Sequence, residues 1–201
     1  MHPITKTYPY LLIVGSLIGL LASFFLMLST IELIKDPAAQ VPCNLSPFVS
    51  CSGSATSWQG EVFGFPNPLL GIASFSMLFA IGVMLFSGGR SRKPLWLLVN
   101  LGTLGSFIFI VWFIYQSMFR IGSLCIYCMI TWIVTWPIFL YTTIWNFKEN
   151  HFEWNGFKAS TQKKINRFFD IVSDYHVQIL IVWYLAVIFL ALFRFKDFFF
   201  S

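Results

Sequence analysis

The sequence predicts an all-α integral membrane protein, in which a four-helix transmembrane bundle is joined by a fifth transmembrane helix. The first observation is composition: hydrophobic residues make up 57% of the 201 residues and charged residues only 10%, whereas soluble domains carry about 25% charged residues. The second observation is a series of uncharged stretches, since a helix needs about 20 mostly apolar residues to cross a bilayer. Backbone in lipid must satisfy its own hydrogen bonds, so each stretch is expected to be helical.

Five stretches contain no Asp, Glu, Lys or Arg. They are residues 7–31, 62–89, 94–119, 121–147 and 175–193. The first is longer than the roughly 7–15-residue apolar core of a secretory signal peptide, so we interpret it as a membrane span and not as a cleaved leader. We therefore expect three parts. They are the four-helix bundle at 1–147 with an outer loop at 35–66, a basic cytoplasmic connector at 148–174, and a fifth helix with a short outer tail at 175–201.

Lys and Arg are divided unevenly between the two sets of connections, and cytoplasmic loops are the richer in these residues. One set holds nine: Lys6, Arg90, Arg92, Lys93, Lys148, Lys158, Lys163, Lys164 and Arg167. The other holds four: Lys35, Arg120, Arg194 and Lys196. The N-terminus is therefore expected in the cytoplasm, with the loop 35–66 and the turn 120–124 outside. The net charge of +5 is interpreted as a topology signal, and no nucleic-acid partner is expected.

All four cysteines fall on the outer side of this topology. Cys125 and Cys128 form a C-x-x-C at the start of the fourth helix, where positions i and i+3 share a face. The partial positive charge of a helix N-terminus favours the thiolate, which is the attacking species in disulfide exchange. The three histidines fall on the inner side, which argues against a Cys–His hydrolase. This pattern indicates a redox-active dithiol.

Cys43 and Cys51 lie eight residues apart in the outer loop, close enough to bridge each other or to reach the helix pair. Four cysteines allow three full pairings, and the sequence leaves the resting pairing open. Two structural alternatives exist: a non-catalytic scaffold with two structural disulfides, and a zinc site. A C-x-x-C bridge closes a very short loop and stabilises little, and the wider spacing of the loop cysteines is unusual for zinc. The pattern therefore favours a redox role for the four cysteines, without a bound metal.

A dithiol relay at a membrane surface needs an electron acceptor. The chain shows no haem, flavin or iron–sulfur motif, so a lipid-soluble quinone in an apolar pocket with a few polar groups is the expected acceptor. Asn67 followed by Pro68 is typical of a helix N-cap with proline at the first helical position. The same amide lies at the outer boundary, where it can donate to a quinone oxygen. Ser57 is either a polar loop residue or a hydroxyl that assists near the sulfurs.

Taken together, these residues resemble the vitamin K epoxide reductase family, in particular its bacterial disulfide-forming branch. The resemblance covers roughly residues 10–147. The matching positions are Pro42-Cys43, Cys51, Ser57, Phe63-Gly64-Phe65-Pro66-Asn67-Pro68-Leu69-Leu70-Gly71, and Cys125-Ile126-Tyr127-Cys128.

The resemblance implies a four-helix bundle around a quinone, either ubiquinone or menaquinone, with the outer loop as a cap. It implies that Cys43 and Cys51 take electrons from a partner's thiols, and that Cys51 attacks Cys125. Cys128 would then be the sulfur nearest the quinone. Asn67 corresponds to the family's hydrogen-bond donor to the quinone, and Ser57 to its serine near the active site.

Two departures from the family pattern refine the expected activity. Animal members carry a tyrosine four residues after the last cysteine, beside the quinone site, and this chain has Trp132 at that position. The difference argues against the second candidate function, reduction of vitamin K quinone or epoxide. Many bacterial members continue into a fused thioredoxin-like domain, whereas a chain ending at Ser201 implies a separate partner of the DsbA type. The resemblance therefore implies a thiol:quinone oxidoreductase of the bacterial inner membrane that reoxidises this partner and drives disulfide formation in secreted proteins.

Overall fold

A computed structural model describes residues 3–46, 49–149, 151 and 159–196. Within these residues the chain forms seven α-helices, and the all-α fold class is confirmed. The helices are α1 (Pro3–Lys35), α2 (Cys51–Ala55), α3 (Pro68–Phe86), α4 (Lys93–Gln116), α5 (Ile126–Lys148), α6 (Ala159–Asp174) and α7 (His176–Arg194). A short 3-10 turn covers Trp58–Glu61, and a π turn at Ser117–Ile121 extends α4.

Five helices in the described part are long and apolar enough to cross a membrane, as the uncharged stretches predicted. They are α1, α3, α4 with its π turn, α5 and α7. Two helices start later than the uncharged stretches that predicted them. α3 starts at Pro68 because residues 62–67 belong to the outer loop, and α5 starts at Ile126 because Gly122 interrupts the helical chain before it. Gly122 adopts a left-handed conformation with φ of 74°, which suits glycine because it has no Cβ to clash.

The four-helix bundle is built around α1, which packs along both α3 and α5, while α4 packs against α5. Two apolar clusters fill its interior. One, at the cysteine end of the bundle, contains all four cysteines together with Phe113, Met118 and Trp132. The other, at the opposite end, surrounds Tyr8 and Trp96. Large apolar side chains cover the outside of α7, where Phe189 is 70% exposed, as expected for a surface that faces lipid.

The fifth membrane-spanning helix, α7, is attached to the bundle by a hydrogen bond to a carbonyl that a proline leaves free. Pro137 lies inside α5 and has no N–H, so it cannot bond to the carbonyl of Ile133 four residues earlier. The Tyr184 hydroxyl of α7 donates to this carbonyl at 2.7 Å. Near the cysteine end, Arg194 Nε donates to the Met118 carbonyl in the π turn at 3.0 Å. α7 therefore contacts both α5, which carries the C-x-x-C at its start, and the π turn that precedes this motif.

α6 lies at the opposite end from the cysteines, where Lys148 Nζ pairs with Asp170 Oδ1 at 2.9 Å. This helix falls within the segment 148–174 that the sequence assigns to a cytoplasmic connector. That assignment, like the other domain boundaries, stays a prediction. Residues 197–201 of the predicted outer tail and residues 152–158 of the connector lie outside the described residues.

Candidate active site

The loop between α1 and α3 folds over the cysteine end of the bundle, and Asn44 holds its two halves together. Asn44 Oδ1 accepts hydrogen bonds from the Cys51 backbone N–H at 3.1 Å and from Ser50 Oγ at 2.8 Å. Asn44 Nδ2 donates to Ser52 Oγ at 2.8 Å. The asparagine thus caps the N-terminus of α2, a task that the side chain of Ser50 does not perform.

A backbone contact joins the Cys51 loop to the segment that precedes Cys125. Val49 and Leu124 form an isolated parallel bridge, in which the Ser50 N–H donates to the Leu124 carbonyl at 3.0 Å. Gly53 allows this close approach, because a Cβ at that position would lie 2.5 Å from Ser123 Oγ. Because each bonded residue directly precedes a cysteine, the bridge brings Cys51 beside Cys125.

The four sulfurs form a continuous series inside the protein. Cys43 and Cys51 are joined by a disulfide, and Cys125 Sγ lies 3.4 Å from Cys51 Sγ. The Cys128 backbone N–H donates to Cys125 Sγ at 3.3 Å, so Cys125 is the side-chain cap of α5. All four cysteines are buried, with exposed fractions of 6% or less. Cys125 and Cys128 are free thiols.

Hydrogen bonding makes the Cys125 thiol more acidic than an ordinary cysteine thiol. The hydrogen bond from the Cys128 thiol lowers the pKa of the Cys125 thiol below its ordinary value; the backbone N–H groups of Cys128 and Tyr127 lower it further, and burial opposes them. A lowered pKa increases the thiolate fraction available for disulfide exchange.

A cavity of about 300 Å³ lies in the bundle beside Cys128. Its walls come from α1, α3, α4, α5 and the loop, and they are mostly apolar and aromatic. Three residues that the sequence predicted for the site line it: Cys128, Asn67 and Trp132. The cavity is the size of a small ligand pocket, for which about 300–1,000 Å³ is usual.

The Asn67 side chain belongs to the loop and not to the helix that follows. Pro68 is the first residue of α3, as predicted, but the Asn67 side chain makes no capping hydrogen bond to the described backbone of α3. Asn67 thus occupies the predicted N-cap position, and its carbonyl accepts from the Gly71 N–H at 3.3 Å, but its side chain does not make the capping hydrogen bond. Instead Asn67 Nδ2 donates to the Gln59 carbonyl at 2.7 Å, and Oδ1 accepts from the Val62 N–H at 3.3 Å. An amide nitrogen has two hydrogens, so Asn67 keeps a second one for a ligand.

Ser57 lies near the cavity, but its hydroxyl is bonded to the backbone of the loop. Its hydroxyl donates to the Ser54 carbonyl at 3.0 Å, and it is not among the described residues that line the cavity. A role for Ser57 near the sulfurs stays a prediction. Ser54, three residues earlier, does line the cavity and is only 3% exposed.

Comparison with known proteins agrees with the resemblance. A model of the vitamin K epoxide reductase family matches residues 10–143. The chain belongs to this family. No curated protein matches the sequence. The family match makes the chain a multi-pass membrane oxidoreductase, of a family that exchanges electrons between thiols and quinones. The match ends within α5, so α6 and α7 extend beyond the family's shared core.

The residues of this family member fit a quinone at the cavity. The walls offer aromatic surfaces such as Trp132 and few polar groups, which suits a flat, mostly apolar ring. The Asn67 amide provides a donor for a ring oxygen, and the thiol of Cys128 lies in the wall. Ser54 provides a second polar group. Sequence reasoning missed it because a five-residue helix such as α2 has no hydrophobic period that predicts which residues share a face.

Proposed function

We propose that this family member is a thiol:quinone oxidoreductase of the bacterial inner membrane that reoxidises a separate thioredoxin-fold dithiol oxidase of the DsbA type. Its cysteines would then face the periplasm, and its activity would drive disulfide formation in secreted proteins. The observation that carries the proposal is the order of the sulfurs. The loop disulfide lies 3.4 Å from Cys125, and the neighbouring Cys128 lines an apolar cavity.

The first step is exchange with the partner. A partner thiolate attacks Cys43, the bond between Cys43 and Cys51 breaks, and Cys51 leaves as a thiolate. The second partner thiol then attacks the mixed disulfide, so the partner departs oxidised and Cys43 is left reduced. Cys43 is only 2% exposed. The loop must therefore move during this exchange, and the hydrogen bonds of Asn44 are the contacts that must loosen.

The second step moves the two electrons to the helix pair. The Cys51 thiolate attacks Cys125 in an oxidised Cys125–Cys128 pair, and Cys128 leaves as a thiolate. Cys43 then attacks Cys51, which restores the loop disulfide and releases Cys125 as a thiolate. The separation of 3.4 Å between Cys51 Sγ and Cys125 Sγ supports this route. The arrangement of an oxidised loop and a reduced helix pair corresponds to the state after the transfer.

The last step oxidises the helix pair. A bound quinone, ubiquinone or menaquinone, supplies an acceptor for two electrons and two protons, and the Cys125–Cys128 disulfide forms again. On the protein side, Cys128 presents the sulfur nearest the acceptor, Asn67 donates a hydrogen bond to it, and Trp132 provides an aromatic surface. Burial of both thiols keeps water from the reacting atoms.

The direct test is a reconstituted reaction. Protein purified in detergent is mixed with a reduced DsbA-type protein and a short-chain ubiquinone or menaquinone analogue, and quinone reduction is followed by absorbance. We expect reduction that requires the thiol donor and that is lost in Cys128→Ala. Absence of reduction with both analogues, in folded protein, would contradict the proposal and favour a scaffold with structural disulfides. Vitamin K epoxide serves as a comparison substrate, and we expect no turnover of it.

A further inference from the structure

Ser23, Ser74 and Thr135 also line the cavity and make no side-chain hydrogen bond among the described residues, but only the Ser54 hydroxyl of this group is fully buried. Ser54 also differs from four other hydroxyl residues on the wall, which already donate within their own helix. They are Thr30 to the Leu26 carbonyl at 2.9 Å, Thr103 to the Asn100 carbonyl at 3.0 Å, Ser106 to the Gly102 carbonyl at 2.9 Å, and Thr131 to the Cys128 carbonyl at 2.7 Å. The Ser54 hydroxyl is buried and has no hydrogen-bond partner among the described residues.

A buried hydroxyl without a partner is unfavourable, so a group that binds in the cavity and accepts a hydrogen bond from it is bound more tightly. The backbone around Ser54 is held in place from two sides. The Ser57 hydroxyl donates to the Ser54 carbonyl, and Gly60 packs so closely on that carbonyl that a Cβ would clash with it. Ser54 is therefore a polar group held at a fixed position in a mostly apolar wall.

We propose that the Ser54 hydroxyl donates a hydrogen bond to a carbonyl oxygen of the bound quinone, as a binding residue in addition to Asn67. The inference rests on the quinone site of the proposed function. A hydroxyl both donates and accepts, whereas an amide N–H only donates. Ser54 can thus donate to a quinone oxygen and accept from the hydroxyl group that this oxygen becomes after reduction. It holds the ring in both redox states.

The position of Ser54 also couples this contact to thiol exchange. Ser54 follows Cys51 by three residues on α2, so one helical turn carries both the sulfur that meets Cys125 and the hydroxyl in the cavity wall. A movement of α2 during thiol exchange would therefore also displace the Ser54 hydroxyl from the cavity wall.

The test is equilibrium binding of a short-chain ubiquinone and of a menaquinone analogue to fully oxidised protein, in which no electrons can pass to the quinone. Binding is followed by quenching of tryptophan fluorescence, because Trp132 lines the cavity. We expect Ser54→Ala to raise the Kd roughly 5- to 10-fold, the effect of one lost hydrogen bond. In infrared difference spectra, one carbonyl stretch of the bound quinone should move to higher wavenumber.

The matched control is Thr56→Val, which removes another hydroxyl from the end of α2. Thr56 is exposed, and its hydroxyl donates to the Ser52 carbonyl. We expect its Kd and its carbonyl bands to match those of the unaltered protein. Equal weakening by Thr56→Val would place the effect in a distorted loop and overturn the Ser54 contact. So would a Ser54→Ala protein with unchanged Kd and bands. Failure of the unaltered protein to bind either quinone would instead overturn the proposed function.

Discussion

Cys51 is the cysteine that contacts both of its neighbours in the proposed relay. It is bonded to Cys43, and its sulfur lies 3.4 Å from that of Cys125. Cys125 in turn accepts a hydrogen bond from the backbone of Cys128. Electrons that enter at Cys43 can therefore reach the cavity wall by exchange between adjacent sulfurs, without a large movement of the bundle.

This order of sulfurs predicts which cysteines form a mixed disulfide. In a protein with both Cys43→Ala and Cys128→Ala, the two remaining thiols are Cys51 and Cys125. We expect mild oxidation to join them rapidly and almost completely, because their sulfurs are already in contact. Mass spectrometry of a non-reduced digest identifies the cross-linked peptide.

The control for this cross-link leaves the other loop cysteine in place. In Cys51→Ala with Cys128→Ala, the remaining thiols are Cys43 and Cys125, and we expect at least tenfold slower formation of a disulfide. Equal rates in the two proteins would show that the loop presents either sulfur to Cys125, and the assigned route through Cys51 would be wrong.

Residue-level prediction from sequence succeeded where a motif fixes the local geometry. The C-x-x-C at a helix start needed only the spacing and a helix boundary, and the structure places Cys125 as the cap of α5. Asn67 was identified at the loop boundary, but its partners Gln59 and Val62 could not be known, because they depend on how the loop folds back. Ser54 was missed because the five-residue helix α2 is too short to show which of its residues share a face.

At the scale of elements, long apolar stretches determined the spanning helices, since the bilayer imposes both length and helical form. The short elements escaped prediction. α2 is stabilised by Asn44, which lies seven residues before its first residue, so the cap is not adjacent in sequence. The π turn after α4 likewise depends on tertiary contacts, including the bond from Arg194 to Met118.

The attachment of α7 to the bundle predicts the effect of one hydroxyl. Tyr184→Phe removes the donor to the Ile133 carbonyl, which Pro137 leaves without an intrahelical partner. We expect a loss of about 0.5–1.5 kcal/mol in unfolding free energy, measured by thermal or denaturant unfolding in detergent. Tyr115→Phe, which removes a hydroxyl from a half-exposed tyrosine of α4, should have little effect.

Pro137→Ala provides the second half of a double-mutant cycle. Alanine restores an N–H that can bond to Ile133 within α5, so the Tyr184 hydroxyl becomes redundant. In that background, Tyr184→Phe should have a clearly smaller effect on the unfolding free energy. An undiminished effect would mean that Tyr184 stabilises α7 by packing alone, and not through the carbonyl freed by proline.

At the scale of the whole molecule, the distribution of charged residues indicates how the bundle is oriented in the membrane. The cysteine end and the opposite end of the bundle differ in their basic residues: the turn between α3 and α4 contains Arg90 and Arg92, and Lys148 ends α5. Cytoplasmic loops are richer in Lys and Arg. The end opposite the cysteines is therefore expected in the cytoplasm.

This orientation is testable with two exposed positions on opposite ends, in a variant without native cysteines. Ala38→Cys lies in the loop that carries the thiol relay, and Ser87→Cys lies in the turn after α3; both positions are exposed. In intact spheroplasts, a membrane-impermeant maleimide should label Ala38→Cys within minutes and leave Ser87→Cys unlabelled until the membrane is permeabilised. The reverse pattern would put the relay in a reducing cytoplasm, where a protein that makes disulfides for secreted substrates has no function.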